Sequence, residues 1–163
     1  MKIGIAADHK GYVVKQMIKT FLIARGYETV DFGSPHLDEY DDYTDFIIPL
    51  AIALHRNEVD RGVSIFGNAT GACIIANKMR GVRAAVVSDH FHAHQAVETN
   101  DVNLLCLPAN SVNYGTAKEL IQLFVEARFE SVEKDHRWLR KVIALETTNR
   151  FLWPFNKEES KRG

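Results

Sequence analysis

Apolar residues follow two rhythms along this chain. Runs of strand length fall at residues 2–6, 28–32, 62–66, 83–87 and 103–107, and between them apolar residues recur at three- and four-residue spacing, as in Val13, Val14, Met17, Ile18, Phe21 and Leu22. The first rhythm predicts buried strands and the second amphipathic helices, here near 10–25, 43–57, 71–79, 90–99 and 113–127. Regular alternation of the two is the signature of βαβ units. Right-handed crossovers then predict a five-stranded parallel sheet covered by helices on both faces, an α/β/α sandwich of three layers. Residues 131–147 read as a further, charged amphipathic helix whose apolar members are Val132, Leu139, Val142, Ile143 and Leu145. Beyond it, Phe151, Trp153 and Phe155 crowd around Pro154 in a stretch too short to build a core. Those aromatics are expected to pack on a partner subunit or on the chain's own surface. The expected organisation is one domain over residues 1–146 and a packing or interface tail over 147–163.

Composition narrows the classes. At 163 residues, 46% apolar and 25% charged, the chain suits a single globular domain. A net charge of −1 gives no electrostatic reason to expect nucleic acid or an anionic membrane as partner. No apolar run approaches the roughly 20 residues of a membrane helix, and the first strand begins at once without a charged-then-apolar leader, so a cytoplasmic location is expected. Cys73 and Cys106 lack the spacing of a metal site or a disulfide framework, and Cys106, within Leu104-Leu105-Cys106-Leu107, reads as a small buried hydrophobe. No cofactor is expected.

The most informative segment is Val63 to Lys78, which runs from an apolar strand through a small-residue turn into a helix. Gly67, Ala69 and Gly71 let backbone N–H groups converge at a helix N-terminus, where unpaired donors and the helix dipole favour a phosphate or an oxyanion. Taken alone, such a turn serves packing more often than binding. A second turn of the same kind, Asp8-His9-Lys10-Gly11, follows the first strand. In an open parallel sheet the loops leaving the strands' carboxyl ends share one edge, where ligands bind. Asp8 and His9 are therefore expected beside the 67–71 turn, with Asp8 available to orient His9 as a general base. Cys73, near the helix start, is a second candidate base through a lowered thiol pKa. His90, His92 and His94 stand at another helix start, where only His90 and His94 share a face, and no metal site is expected from them. Lys15, Lys19 and Arg25 read as solvated charges.

These residues resemble the ribose-5-phosphate isomerase B / galactose-6-phosphate isomerase family. The resemblance is carried by Ala7-Asp8-His9-Lys10-Gly11, Asp42-Tyr43, the glycine turn ending in Ile75-Ala76-Asn77-Lys78, Gly81-Val82-Arg83-Ala84 and Asn100-Asp101-Val102-Asn103, in consistent order over residues 1–146. It implies a Rossmann-like subunit with active sites between subunits, and metal-free interconversion of aldose and ketose phosphates through an enediolate, as in carbohydrate metabolism of the pentose phosphate type. By resemblance, Asp8, His9, Tyr43, Gly67, Asn68, Gly71 and Asn100 bind substrate, and Arg137 and Arg140 are candidates for its phosphate. It also exposes departures. Phe66 stands where one branch of the family carries a cysteine base, Ala72 where another carries a glutamate base, Thr99 where the ring-opening histidine belongs, and Asn110 where an arginine grips phosphate. The catalytic groups are then re-sited, with His9, Cys73 and His90 as candidates, His90 supplying the acid that Thr99 cannot. Otherwise the chain is a catalytically impaired partner subunit or a sugar-phosphate sensor. A homodimer or tetramer is implied, or a hetero-oligomer with a homologous subunit. The acidic run 38–42 is expected to project away from phosphate or to offer one carboxylate to sugar hydroxyls.

Overall fold

The structure, a computed structural model, describes residues 1–130 and 132–147. The chain divides into two units, Met1–Glu130 and Ser131–Gly163. In the first unit β1 (Lys2–Ala7), α1 (Tyr12–Ala24), β2 (Glu28–Asp31), α2 (Thr44–His55), β3 (Arg61–Phe66), α3 (Ala69–Ala76), β4 (Ala84–Val86), α4 (His90–Asn100), β5 (Leu104–Pro108) and α5 (Tyr114–Glu126) follow one another. Every ladder is parallel, in the order β2-β1-β3-β5-β4. This is the five-stranded parallel α/β fold that the alternation of rhythms predicts.

The order explains the layers. A right-handed crossover places its helix on one face when the chain steps one way across the sheet and on the other face when it steps back. Steps from β1 to β2 and from β4 to β5 run one way, and α1 and α4 share a core with α5, built on Ile18, Leu22, Val97, Leu120 and Phe124. Steps from β2 to β3 and from β3 to β4 run the other way, and α2 and α3 share the opposite core, built on Ile47, Leu50, Phe66, Ala72 and Leu104. The sheet interior is nearly dry: Ile3, Ile5, Val63, Ile65, Leu105 and Leu107 are fully buried. β4, three residues long and on the edge, is only partly covered.

Local chemistry sets the helix starts. Asn68, Asp89 and Asn113 each accept a backbone N–H three residues on, from Gly71 at 2.9 Å, His92 at 2.9 Å and Thr116 at 3.0 Å, satisfying donors that a helix N-terminus leaves open. Lys15 departs from the sequence expectation: it is fully buried rather than solvated. A buried ammonium persists only with acceptors, and its Nζ donates to Asp31 Oδ1 and to the Ser34 carbonyl, both at 2.9 Å.

In the second unit α6 (Glu133–Thr147) is the helix expected over 131–147. Within it Arg140 pairs with Glu133 at 2.6 Å, and Lys134 Nζ lies 4.6 Å from the centre of the Trp138 ring. Phe151, Trp153 and Phe155, read as a packing segment, lie outside the described residues.

Candidate functional site

The chain leaves β1 toward β2 on one side and β3 toward β4 on the other, so the adjacent β1 and β3 form a switch point where their exit loops diverge. Such a point opens a crevice at the carboxyl edge of a parallel sheet. Asp8, one residue past β1, joins the two loops: its Oδ1 accepts from the N–H groups of Lys10 at 3.0 Å and Gly11 at 3.1 Å, and its Oδ2 from Gly67 N–H at 2.8 Å. The loops expected to meet do meet, and Asp8, only 5% exposed, is their clasp. Gly11 makes the close approach feasible. A Cβ there would lie 1.9 Å from the Ile65 carbonyl oxygen, which belongs to backbone and cannot yield.

The 67–71 turn presents backbone N–H groups at a helix N-terminus, the cradle expected from sequence, with some donors already taken. Gly67 N–H is bound by Asp8 and Gly71 N–H by Asn68 Oδ1. Among the described residues, no hydrogen bond occupies the N–H groups of Asn68, Ala69 and Thr70. These three are the donors that remain at the N-terminus of α3, where its dipole reinforces them. Lys10 crosses the turn, its Cδ 2.5 Å from where a Cβ on Gly67 would stand, and so brings an ammonium-bearing chain to the cradle. Tyr43, the residue before α2, closes the other side: its hydroxyl lies 3.4 Å from Asn68 Nδ2 and its ring meets Phe66 edge-on at 6.1 Å. Phe66 itself is fully buried beneath Tyr43. The ring belongs to the core and does not plug the loop edge.

His9 sits between these loops, but its carboxylate partner differs from the one expected. Asp8 has both oxygens committed to backbone. Asp41 Oδ1 lies 2.7 Å from His9 Nδ1, and no hydrogen bond to Nε2 occurs among the described residues. Of the acidic run, therefore, Asp41 turns inward, while Asp42 accepts from Thr44 N–H at 3.0 Å and Thr44 Oγ1 at 2.8 Å just ahead of α2. Those two bonds hold the exposed Asp42 carboxyl below its usual range.

The other candidates lie apart from this group. Cys73 faces the sheet, with its Sγ 3.3 Å from the Ala84 carbonyl and 3.5 Å from Asn77 Nδ2. Its thiol pKa falls to about 7, chiefly through a hydrogen bond from Cys106, whose own pKa that same contact and full burial push well upward. The acidity expected of Cys73 thus comes from a buried neighbour, and the thiol points toward β4 and β5 instead of the Asp8–Gly67 clasp. His90 begins α4 on the opposite face of the sheet from α3, and its Nε2 pairs with Glu119 Oε2 on α5 at 2.7 Å. His92 pairs with Asp89 at 2.6 Å and His94 with Glu98 at 3.3 Å. No group of metal ligands forms among the described residues.

Asn100 and Thr99 end α4, four to five residues before β5 begins, and therefore lie at the amino edge of the sheet. At about 3.3 Å per residue, the strands separate them from the cradle by roughly 15–20 Å within one chain. There Asn100 Nδ2 donates to Thr99 Oγ1 at 2.7 Å, and Thr99 Oγ1 donates back to the Gln95 carbonyl at 2.9 Å. Asp101 binds Arg83 Nη2 at 2.7 Å beside them. Arg137 and Arg140 lie on α6, in the second unit.

One residue of this edge, Asp41, escapes a reading of the sequence, and Lys10 enters it only as part of the Asp8–Gly11 turn. Asp41 was one of four acidic residues in five, and nothing in that run singles out the one that turns in.

Comparison with known proteins places the whole first unit in context. The family model described as Ribose/Galactose Isomerase matches residues 3–142. The ribose-5-phosphate isomerase B of Escherichia coli strain K12 is 32% identical over 145 residues, covering 89% of this chain and 96% of that protein. The structure of ribose-5-phosphate isomerase B from Clostridium thermocellum superposes with a TM-score of 0.85 at 39% identity, covering 90% of this chain and 98% of the other. That of ribose-5-phosphate isomerase B from Mycoplasma genitalium, with bound ribulose-5-phosphate, does so at 0.86 and 33% identity, covering 91% and 97%.

Proposed function

This chain belongs to the ribose/galactose isomerase family, and from that premise we propose that it interconverts an aldose phosphate and its ketose, with ribose 5-phosphate and ribulose 5-phosphate as the leading pair. One observation carries the reading: the two strand-exit loops are clasped at the switch point by Asp8 Oδ2 and Gly67 N–H at 2.8 Å, with His9 and the open N–H groups of residues 68–70 beside the clasp.

The open-chain sugar places its phosphate on the N–H groups of Asn68, Ala69 and Thr70, with Lys10 supplying positive charge, while Tyr43 and Asn68 offer groups to hydroxyls. Isomerisation then needs a base. It removes the proton from C2 of the aldose, the C–H pair forms the C1=C2 bond, and the carbonyl oxygen at C1 takes the negative charge of an enediolate. Return of a proton to C1, with transfer of the O2 proton to O1, gives the ketose. Phe66 and Ala72 have no group for this, and both are fully buried. Cys73 points into the sheet. His9 is the candidate whose free nitrogen remains at the loop edge, so the proton transfer is re-sited there. Asn100, at the opposite edge of its own chain, reaches such a site only from a second copy, which fits a dimer or a tetramer built from dimers. A single chain keeps its two sets of groups at opposite edges of the sheet.

A second reading is favoured by Thr99, whose hydroxyl is tied to Gln95 and cannot act as a general acid near neutral pH: a partner subunit or sensor that binds sugar phosphate without turnover. Incubation with ribose 5-phosphate, and with tetrose and hexose phosphates, in D₂O separates the two. The isomerase incorporates deuterium at C1 or C2, which NMR reads even when net conversion is slow; binding without exchange overturns the isomerase reading.

A further inference from the structure

We infer that Asp41 is a positioning residue of this site, holding His9 as the Nδ1–H tautomer and thereby making Nε2 the atom that exchanges protons with substrate. The inference rests on the isomerase reading above and deepens it. Three observations converge. Asp41 Oδ1 stands 2.7 Å from His9 Nδ1, and the Asp41 side chain is 5% exposed against 27% for His9. An ionised carboxylate only accepts, so this short contact places the ring hydrogen on Nδ1. The second oxygen, Oδ2, is buried and meets no donor among the described residues.

That orphan oxygen separates an orienting role from a merely structural one. Two other well-covered carboxylates use both oxygens: Asp8 takes three backbone N–H groups, and Asp31 takes Lys15, Lys19 and Gly33 N–H. A buried acceptor without a donor is unfavourable, and a carboxylate needed only to fasten a loop gains nothing from it. With no competing donor, the carboxylate interacts with a single partner, the imidazole. The preceding loop aims it. Asp38 Oδ1 accepts from Tyr40 N–H at 3.0 Å and the Asp38 carbonyl from Asp41 N–H at 3.3 Å, a turn that sends Tyr40 outward and Asp41 inward. In the resulting tautomer Nε2 carries the lone pair. It takes the C2 proton as the C1=C2 bond forms and returns a proton to C1, and the imidazolium formed in between is flanked by Asp41, so that protons and electrons balance over the cycle.

The test uses the full-length chain and Asp41→Asn. Ring ¹⁵N NMR of the neutral imidazole is expected to show His9 with Nε2 unprotonated, and Asp41→Asn to lose that preference. Turnover is expected to fall by about 10² to 10⁴, the range for losing a correctly oriented base, with KM within about threefold, partial rescue by Asp41→Glu, and no further loss when Asp41→Asn is added to His9→Ala. An Nε2–H tautomer in the unmodified protein overturns the inference without any variant having to fold, as does Asp41→Asn turnover within about twofold of the unmodified protein. Should the unmodified protein give neither conversion nor deuterium exchange, the isomerase reading and the catalytic role of Nε2 fall together. The tautomer, measured without substrate, then identifies the failure as one of function and not of the Asp41 contact.

Discussion

Cys73 and Cys106 sit against each other, one half-buried on α3 and the other wholly buried on β5. A proton shared between two thiols stays with the one that water cannot reach, so Cys73 ionises first and Cys106 resists. The physical sign follows: the Cys73 thiolate fraction rises as pH passes upward through about 7, against an ordinary 9.0. Iodoacetamide labelling of Cys73, followed by mass spectrometry, is expected to accelerate to half its plateau rate near pH 7. Cys106→Ala removes the stabilising donor and moves that midpoint upward; an unmoved midpoint means the acidity has another source. The sequence marked Cys73 as acidic through a helix terminus. The acidity is there, but its cause lies 33 residues away on another strand, a neighbour that no local pattern reveals.

At the scale of elements, the site depends on how closely α1 can start against β3. The Gly11 position tolerates no side chain, because the obstructing atom is a backbone carbonyl inside the sheet. Gly11→Ala must push α1 away from β3 and loosen Asp8's grip on Gly67. Urea unfolding is expected to show a loss of about 3 kcal/mol or more, at the upper end for overpacking, with a rise in KM for sugar phosphate in whatever fraction folds. A variant as stable as the parent would mean that the loops are not in fact pressed together. Strand and helix positions were legible from the sequence because burial on both faces of a parallel sheet and on one face of a helix imposes different periods on the residues themselves. The exchange of β4 and β5 in the strand order was not legible. Both are short apolar strands, and their residues alone do not order them.

For the whole molecule, the separation of the Asp8–Gly67 edge from Asn100 by the length of the strands makes a testable distinction. Each chain offers one set of groups at each edge. If the working site joins the carboxyl edge of one copy to the amino edge of another, His9→Ala and Asn100→Ala proteins, each nearly inactive, recover activity when unfolded together and reassembled. Random pairing in a two-fold dimer restores roughly a quarter of the sites, since half the dimers are mixed and each mixed dimer regenerates one intact site. Steady-state assay of the mixture checks it, and no recovery places both groups in the same chain's site or removes Asn100 from it. Among the described residues no helix is long and apolar enough to cross a membrane.

The sequence by itself determined the number and kind of elements, the parallel sheet and the meeting of two glycine-bearing turns at one edge. These follow from periodicity and from the handedness of crossovers, both of them local or topological. Only the tertiary structure decided that Asp8 serves as a clasp, that Asp41 from a loop 32 residues away orients His9, that Lys15 is buried on Asp31, and that Cys73 turns to Cys106. Each of those is a contact between residues far apart in the chain, chosen by the three-dimensional competition of buried polar groups for partners, and that competition leaves no periodic trace along the sequence.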